Sequence, residues 1–207
     1  MKTLIVSYLP GGSYSNTKQL FDHILGELKN TEVEHLNLLE TSPDFFNNES
    51  IMAYYSRNYQ GKELNQAQKD SLKKMDLFAN QVSEADLVVM VYPMYNFGMP
   101  GIVKTWFDGV MQAGVAFEYG PNGPVGLFKN KKALVLFTSG GSYSEKKYSG
   151  KYPDWDTISL LSEIEFSFMG FSDVEVVSAS TSDSGKKQQN IDLAKQKASE
   201  ILKGWGV

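Results

Sequence analysis

Two periods of apolar residues alternate along the chain. Thr3 to Val6 is a short apolar, β-branched run that predicts a strand, and the turn-rich Pro10-Gly11-Gly12-Ser13 follows it. Leu20, Phe21, Ile24, Leu25 and Leu28 then recur at helical spacing and mark one apolar stripe. Ser13 or Ser15 can cap that helix. Val33 to Leu38 predicts a second strand, and Leu72, Met75, Ala79 and Val82 a second helix. Leu87 to Val91 is unbroken and apolar, as in a central parallel strand covered on both faces. Ile102, Val103, Trp106, Phe107, Val110 and Met111 form the next stripe, with Pro100 at its start. Ala133 to Phe137 predicts a fourth strand and Val174 to Val177 a fifth. Ile158, Leu161, Ile164 and Phe168 predict a helix between them, and Ile191, Ala194, Ala198, Ile201 and Leu202 a last one.

Strands alternating with helices in this way build parallel βαβ units and a doubly wound α/β sheet. Residues 1–207 read as a single domain, with insertions near 44–64 and 115–128. Such sheets bind ligands beyond the carboxyl ends of their strands, at the switch in strand order. Three loops therefore carry the candidate chemistry.

The first is Leu9 to Thr17. It lacks both the lysine of a Walker loop and the glycine spacing of a dinucleotide fingerprint. It offers hydroxyls and an amide at a helix N-terminus, which suits a phosphate monoester; the plainer alternative is that its serines only cap the helix. The second loop is Tyr92-Pro93-Met94-Tyr95-Asn96-Phe97-Gly98-Met99-Pro100. Prolines bracket an aromatic–amide–aromatic core, so rings can flank a planar ligand while turn amides reach its polar edge. The alternative is core packing that spills over the strand end. The third loop, Thr138-Ser139-Gly140-Gly141-Ser142-Tyr143, has paired glycines that let a backbone approach a ligand closely, or simply make a turn.

Composition narrows the chemistry. The chain has no cysteine, so thiolate nucleophiles and cysteine-ligated metals are excluded. It has two histidines, His23 on a helix and His35 on an edge strand, both read as solvated. Arg57 is the sole arginine, and the net charge is −4. Nucleic acid is therefore not the expected partner, and a phosphate must be held mainly by amides and hydroxyls. No apolar run approaches the ~20 residues that span a bilayer, and the expected location is the cytoplasm.

The residues Pro93 to Phe97, Pro100, Lys104, Phe107-Asp108, Ala113 to Tyr119, Gly123-Pro124 and Gly126-Leu127 carry a resemblance. Together they resemble the FMN-dependent NADH-azoreductases, a family that includes quinone reductases. The resemblance implies a flavodoxin-like fold, with five parallel strands in the order 2-1-3-4-5 and helices on both faces. It places Ser15, Asn16 and Thr17 at the FMN phosphate. Met94, Tyr95, Asn96 and Phe97 fall along the isoalloxazine and ribityl chain, and Thr138, Ser139, Gly140 and Gly141 at the pyrimidine edge. Two positions depart from the family's habit: Leu9 stands where a serine is frequent, and Ser139 where an arginine or asparagine is.

The implied activity is ping-pong hydride transfer, from NADH or NADPH to bound FMN and then to a quinone or aromatic azo compound. The implied assembly is a homodimer, with Tyr119 on a hairpin from Val115 to Phe128 edging a substrate pocket. A surface strand is the alternative for Tyr119. The aromatic segment 44–64 is a lid or dimer contact in one reading and a local subcore in the other. Three rival functions share the fold class. An electron carrier is typically shorter and more acidic, and a flavin-storage protein would turn nothing over. A response-regulator receiver needs an aspartate where this chain has Tyr92-Pro93.

Overall fold

The computed structural model describes residues 1–143 and 155–207. Its central sheet comprises β1 (Lys2–Ser7), β2 (Glu32–Asn37), β3 (Leu87–Pro93), β6 (Lys132–Ser139) and β7 (Asp173–Ser180). All four pairings are parallel, in the spatial order β2-β1-β3-β6-β7. Two short antiparallel strands, β4 (Phe117–Gly120) and β5 (Gly123–Gly126), form a separate hairpin. The helices are α1 (Asn16–Glu27), α2 (Asn48–Asn58), α3 (Gln66–Glu84), α4 (Gly101–Val110), α5 (Thr157–Met169) and α6 (Lys187–Gly204).

Alternation along each strand sends side chains to two cores. Leu4, Val6, Val88, Met90, Tyr92, Val135 and Phe137 pack with Phe78, Trp106, Phe107 and Phe166 of α3, α4 and α5. Ile5, Val89, Val91, Leu134 and Leu136 pack with Leu20, Ile24, Ile191 and Ala198 of α1 and α6. Central strands covered on both faces must be apolar throughout, which is why β3 and β6 are unbroken runs.

The structure adds one element and corrects two expectations. The segment 44–64 contains the helix α2, whose few buried residues, Ser50 and Ala53, leave little periodic signal. Tertiary contacts hold it. Ala53 joins Leu64, Leu72 and Met75 in a small third core, so the subcore reading describes this part of the segment. Arg57 makes a two-pronged ion pair to Asp76 at 2.7 and 2.9 Å and also donates to Gln112 Oε1. On α5 the buried face is Ile158, Ser162, Glu165, Phe166 and Met169, and Ile164 is exposed. Apolar residues surround this helix, so periodicity could not settle its rotation. Its C-terminal anchorage does: Phe128 N–H donates to Met169 O, and Gly170 packs backbone to backbone on Gly126. His23, expected in solvent, is half-buried, with Nε2 2.8 Å from Ser199 Oγ of α6.

Candidate flavin site at the carboxyl ends of the strands

The chain between β1 and α1 forms a one-turn 3-10 helix, Gly12–Tyr14, before α1 begins. Ser15 is the N-cap of α1: its Oγ accepts the Lys18 N–H at 3.3 Å, and Ser13 plays no capping part. Among the described residues, the N–H groups of Asn16 and Thr17 have no partner. They are the free donors that every helix start leaves, on the positive end of the helix dipole. The Thr17 side chain turns inward instead, and its hydroxyl lies 2.6 Å from that of Thr138 at the end of β6. Leu9 packs against the α1–α6 core and offers the site no polar atom beyond its backbone.

The loop after β3 is a tight turn. Tyr95 and Gly98 exchange both backbone hydrogen bonds, at 2.9 and 3.0 Å. Asn96 and Phe97 between them both lie in the left-handed region, with φ of 48° and 66°. Two consecutive positive φ values make a type I′ turn, which asparagine tolerates better than other side-chain-bearing residues and phenylalanine adopts only under constraint. The free N–H groups of Asn96 and Phe97 have no partner among the described residues. Met94 N–H donates to Thr138 O at 2.8 Å, which fixes this loop to the next one. Tyr95 and Phe97 are each 46% exposed, the opposite of spilled core packing. Tyr8, just beyond β1, meets the Tyr95 ring edge-on at 6.3 Å.

The loop after β6 is closed by one of its own side chains. Ser139 is buried, and its Oγ donates to Gly141 O at 2.7 Å, so the side chain closes its own turn. Its carbonyl accepts from Thr181 N–H and Oγ–H. Gly140 and Gly141 present backbone; a Cβ at Gly140 would meet nothing within 4 Å.

Ser15, Asn16, Thr17, Met94 to Phe97 and Thr138 to Gly141 thus converge at one end of the sheet. Tyr119 joins a different group. It is largely exposed, with its ring against Tyr59 of α2 at 6.5 Å and Phe117 at 5.6 Å. Asn58 Nδ2 donates to Ala113 O, and Ala113 N–H donates to the Tyr54 hydroxyl, so α2 also ties down the approach to the hairpin.

Sequence reasoning missed three contributors: Tyr8, Trp155 and Thr157. Trp155 packs edge-on against Phe97 at 4.6 Å, and the Thr157 hydroxyl donates to Phe97 O. Asp156-Thr157 at a helix start was the available signal, because an aspartate cap leaves the next hydroxyl free for other work.

A family model described as flavodoxin-like fold matches residues 1–202. An FMN-dependent NADH:quinone oxidoreductase of Alteromonas mediterranea is 30% identical over 210 residues, 99% of this chain and all of that protein. This chain belongs to that flavodoxin-like family. The enzyme of the same name from Tolumonas auensis is 34% identical over 188 residues, 88% of each chain. Among solved structures, an FMN-dependent NADH-azoreductase of Bacillus anthracis in complex with FMN superposes with a TM-score of 0.85. It is 27% identical and covers 97% of this chain and 98% of its own.

The donor set suits FMN. A phosphate dianion needs N–H groups and hydroxyls at a helix start, and Asn16, Thr17 and Ser15 supply them. A flat tricyclic ring needs aromatic edges and turn amides, which the 95–98 turn presents. Its pyrimidine edge needs a backbone that comes close, as Gly140-Gly141 allows.

The remaining polar groups on the α4–α5 face lie outside these loops. Glu165 is 5% exposed, with Oε1 3.4 Å from Lys104 Nζ and Oε2 without a partner among the described residues. Burial pushes its carboxyl up to about 7; Lys104 works against that shift and Asp108 adds to it. Desolvation likewise drives the Tyr92 phenol far above its ordinary range. No helix among the described residues is long and apolar enough to cross a membrane.

Proposed function

We propose that this protein is an FMN-dependent NADH:quinone oxidoreductase that also reduces aromatic azo compounds. The observation that carries the reading is full-length similarity to enzymes of that name, joined to three loops converging where such a sheet binds its ligand. When bound, FMN would supply two-electron hydride chemistry between NADH and the acceptor.

The chain's own residues then have placing and charge-stabilising roles. Asn16 and Thr17 N–H groups, with the Ser15 hydroxyl, hold the phosphate at the start of α1. Met94 lines the ribityl chain, and Tyr95 and Phe97 border the ring. Asn96 and Phe97 N–H groups donate toward its O4 and N5 region. Thr138, Ser139, Gly140 and Gly141 lie by its pyrimidine edge, and amides there stabilise negative charge in the manner of an oxyanion hole. With Ser139 folded onto Gly141 O, that edge relies on backbone rather than on a side-chain cation.

In the same reading, residues 1–207 are one domain acting in the cytoplasm, with the parallel strands in the flavodoxin order 2-1-3-4-5. The active form is a homodimer, and Tyr119 edges the acceptor pocket. The exposed Leu160 and Ile164 on α5 and Phe45 before α2 are the apolar surface a second copy covers. The full-length relatives are named as enzymes, so an electron carrier is not favoured.

The test is direct. The purified protein should take up FMN at one per chain and oxidise NADH continuously with menadione as acceptor. A protein that binds FMN without turnover would be a carrier or store, and one that leaves FMN fluorescence unchanged in titration would refute the reading.

A further inference from the structure

The 95–98 turn stores backbone strain at Phe97. A phenylalanine at φ 66° crowds its own Cβ against the carbonyl that follows, and such a conformation persists only where its surroundings impose it. The two Tyr95–Gly98 hydrogen bonds close the turn but do not choose its hand, because mirror-image turns close with the same pair. The choice comes from across the loop. Thr157, the first residue of α5, donates its hydroxyl to Phe97 O. Trp155 and Tyr143 meet the Phe97 ring edge-on at 4.6 and 5.7 Å.

Thr157 is free for this work because α5 is capped by its neighbour. Asp156 Oδ1 accepts the Ser159 N–H at 3.3 Å, and Oδ2 accepts the Ser159 hydroxyl at 2.8 Å. Among the described residues, the Thr157 hydroxyl is the polar side-chain group at this helix start that bonds the turn.

We propose that Thr157 is a positioning residue for the redox reaction: its hydrogen bond to Phe97 O holds the turn in the left-handed conformation that aims the Asn96 and Phe97 N–H groups at the flavin. The proposal rests on the reading that this turn lines the flavin. If the Phe97 carbonyl were released, Phe97 could relax from its left-handed φ to a negative one. That change turns over the Asn96–Phe97 peptide, so the Phe97 N–H would swing away from the ring while the rest of the fold stayed in place. The bond is solvent-accessible, so water can replace it in part and the effect is graded.

The experiment compares wild type, Thr157→Val, Thr157→Ser and Asn96→Ala. Losing one ordinary hydrogen bond corresponds to roughly 3- to 10-fold in affinity. Thr157→Val should weaken FMN binding by that factor in fluorescence titration. It should also lower the flavin's midpoint potential, because lost donors stabilise the reduced ring less. Thr157→Ser should return the affinity to within about twofold of wild type and restore the potential, and the thermal midpoints of FMN-free wild type, Thr157→Val and Thr157→Ser should agree. If Thr157→Val matches wild type in affinity and potential while Asn96→Ala is impaired, the turn serves the flavin but Thr157 does not position it. If Thr157→Ser fails to rescue, the methyl packing or the helix start is responsible, and the proposal falls. If neither Thr157→Val nor Asn96→Ala changes FMN binding or potential, the reading of the turn itself fails.

Discussion

Thr17 and Thr138 are 121 residues apart in sequence, yet their buried hydroxyls lie 2.6 Å from each other. One stands in the first turn of α1 and the other at the end of β6. The bond ties the loop between β1 and α1 to the loop after β6. Through Met94 N–H and Thr138 O it extends to the turn after β3. The three segments of the proposed site are thereby held at fixed separations by the chain itself.

Replacing either threonine by valine leaves the other hydroxyl buried without its partner. We expect each single variant to lose about 1–3 kcal/mol of stability in urea unfolding of the FMN-free protein, and to bind FMN more weakly. The double variant Thr17→Val/Thr138→Val should lose less than the two singles added together, because no orphan remains. Strictly additive losses would mean that the two hydroxyls do not depend on each other.

Asn96 is tested by two substitutions. Glycine keeps the left-handed backbone at no steric cost, whereas alanine adds strain of about 1–2 kcal/mol. If the turn amides are what the flavin uses, Asn96→Ala should weaken FMN binding roughly 5-fold or more, and Asn96→Gly markedly less. Ser142→Ala should bind like wild type. Equal losses at Asn96→Gly and Asn96→Ala would instead assign the contact to the asparagine side chain.

The Gly126–Gly170 contact is a backbone-to-backbone approach that no side chain can enter. A Cβ at Gly126 would lie 2.2 Å from Gly170 N and 2.3 Å from Met169 C. Relief would require separating β5 from the end of α5 and breaking the Phe128 N–H to Met169 O bond of 2.9 Å. Gly126→Ala should therefore cost on the order of 3 kcal/mol in denaturant unfolding. A variant as stable as wild type would show that the hairpin is free to move away from α5.

Glu165 gives a pH dependence of definite sign. Its carboxyl is raised from 4.5 to about 7 by burial, so between those values the folded chain keeps a proton that the unfolded chain has lost. The stability it contributes is fully present below pH 4.5, declines as the pH rises to about 7, and changes no further above that. Glu165→Gln should flatten this slope. At pH 8 it should be the more stable protein, by at most about 3 kcal/mol. Unfolding at pH 5 and pH 8 checks this; identical slopes in both proteins would place the titrating group elsewhere. The Lys104 ammonium retains Asp108 in the variant.

For the dimer, Leu160 and Ile164 provide the probe. Both are exposed apolar residues on a helix whose opposite face is well packed. Sedimentation should give twice the 23.1 kDa chain mass for wild type and the single mass for Leu160→Glu/Ile164→Glu, with circular dichroism unchanged. A wild-type monomer with full turnover would rule out the homodimer as the active form.

By itself, the order of apolar runs determined the layered α/β plan. Only strands covered on both faces can be as continuously apolar as Leu87 to Val91, and parallel strands require the helices found between them. Sequence also singled out Asn96 and its aromatic neighbours, because prolines around an asparagine are poor core-forming material. It could not show that Phe97 is left-handed, since that conformation is imposed by Thr157 and Trp155 from a distant segment. Nor could it reveal α2, whose helix is held by Arg57, Asn58 and Tyr54 reaching residues far along the chain. The rotation of α5 was likewise hidden, because apolar residues ring that helix and only the Gly126–Gly170 approach selects which of them turn inward. Periodicity reports what one segment must bury; which partner it meets, and at what angle, is settled only when the segments pack together.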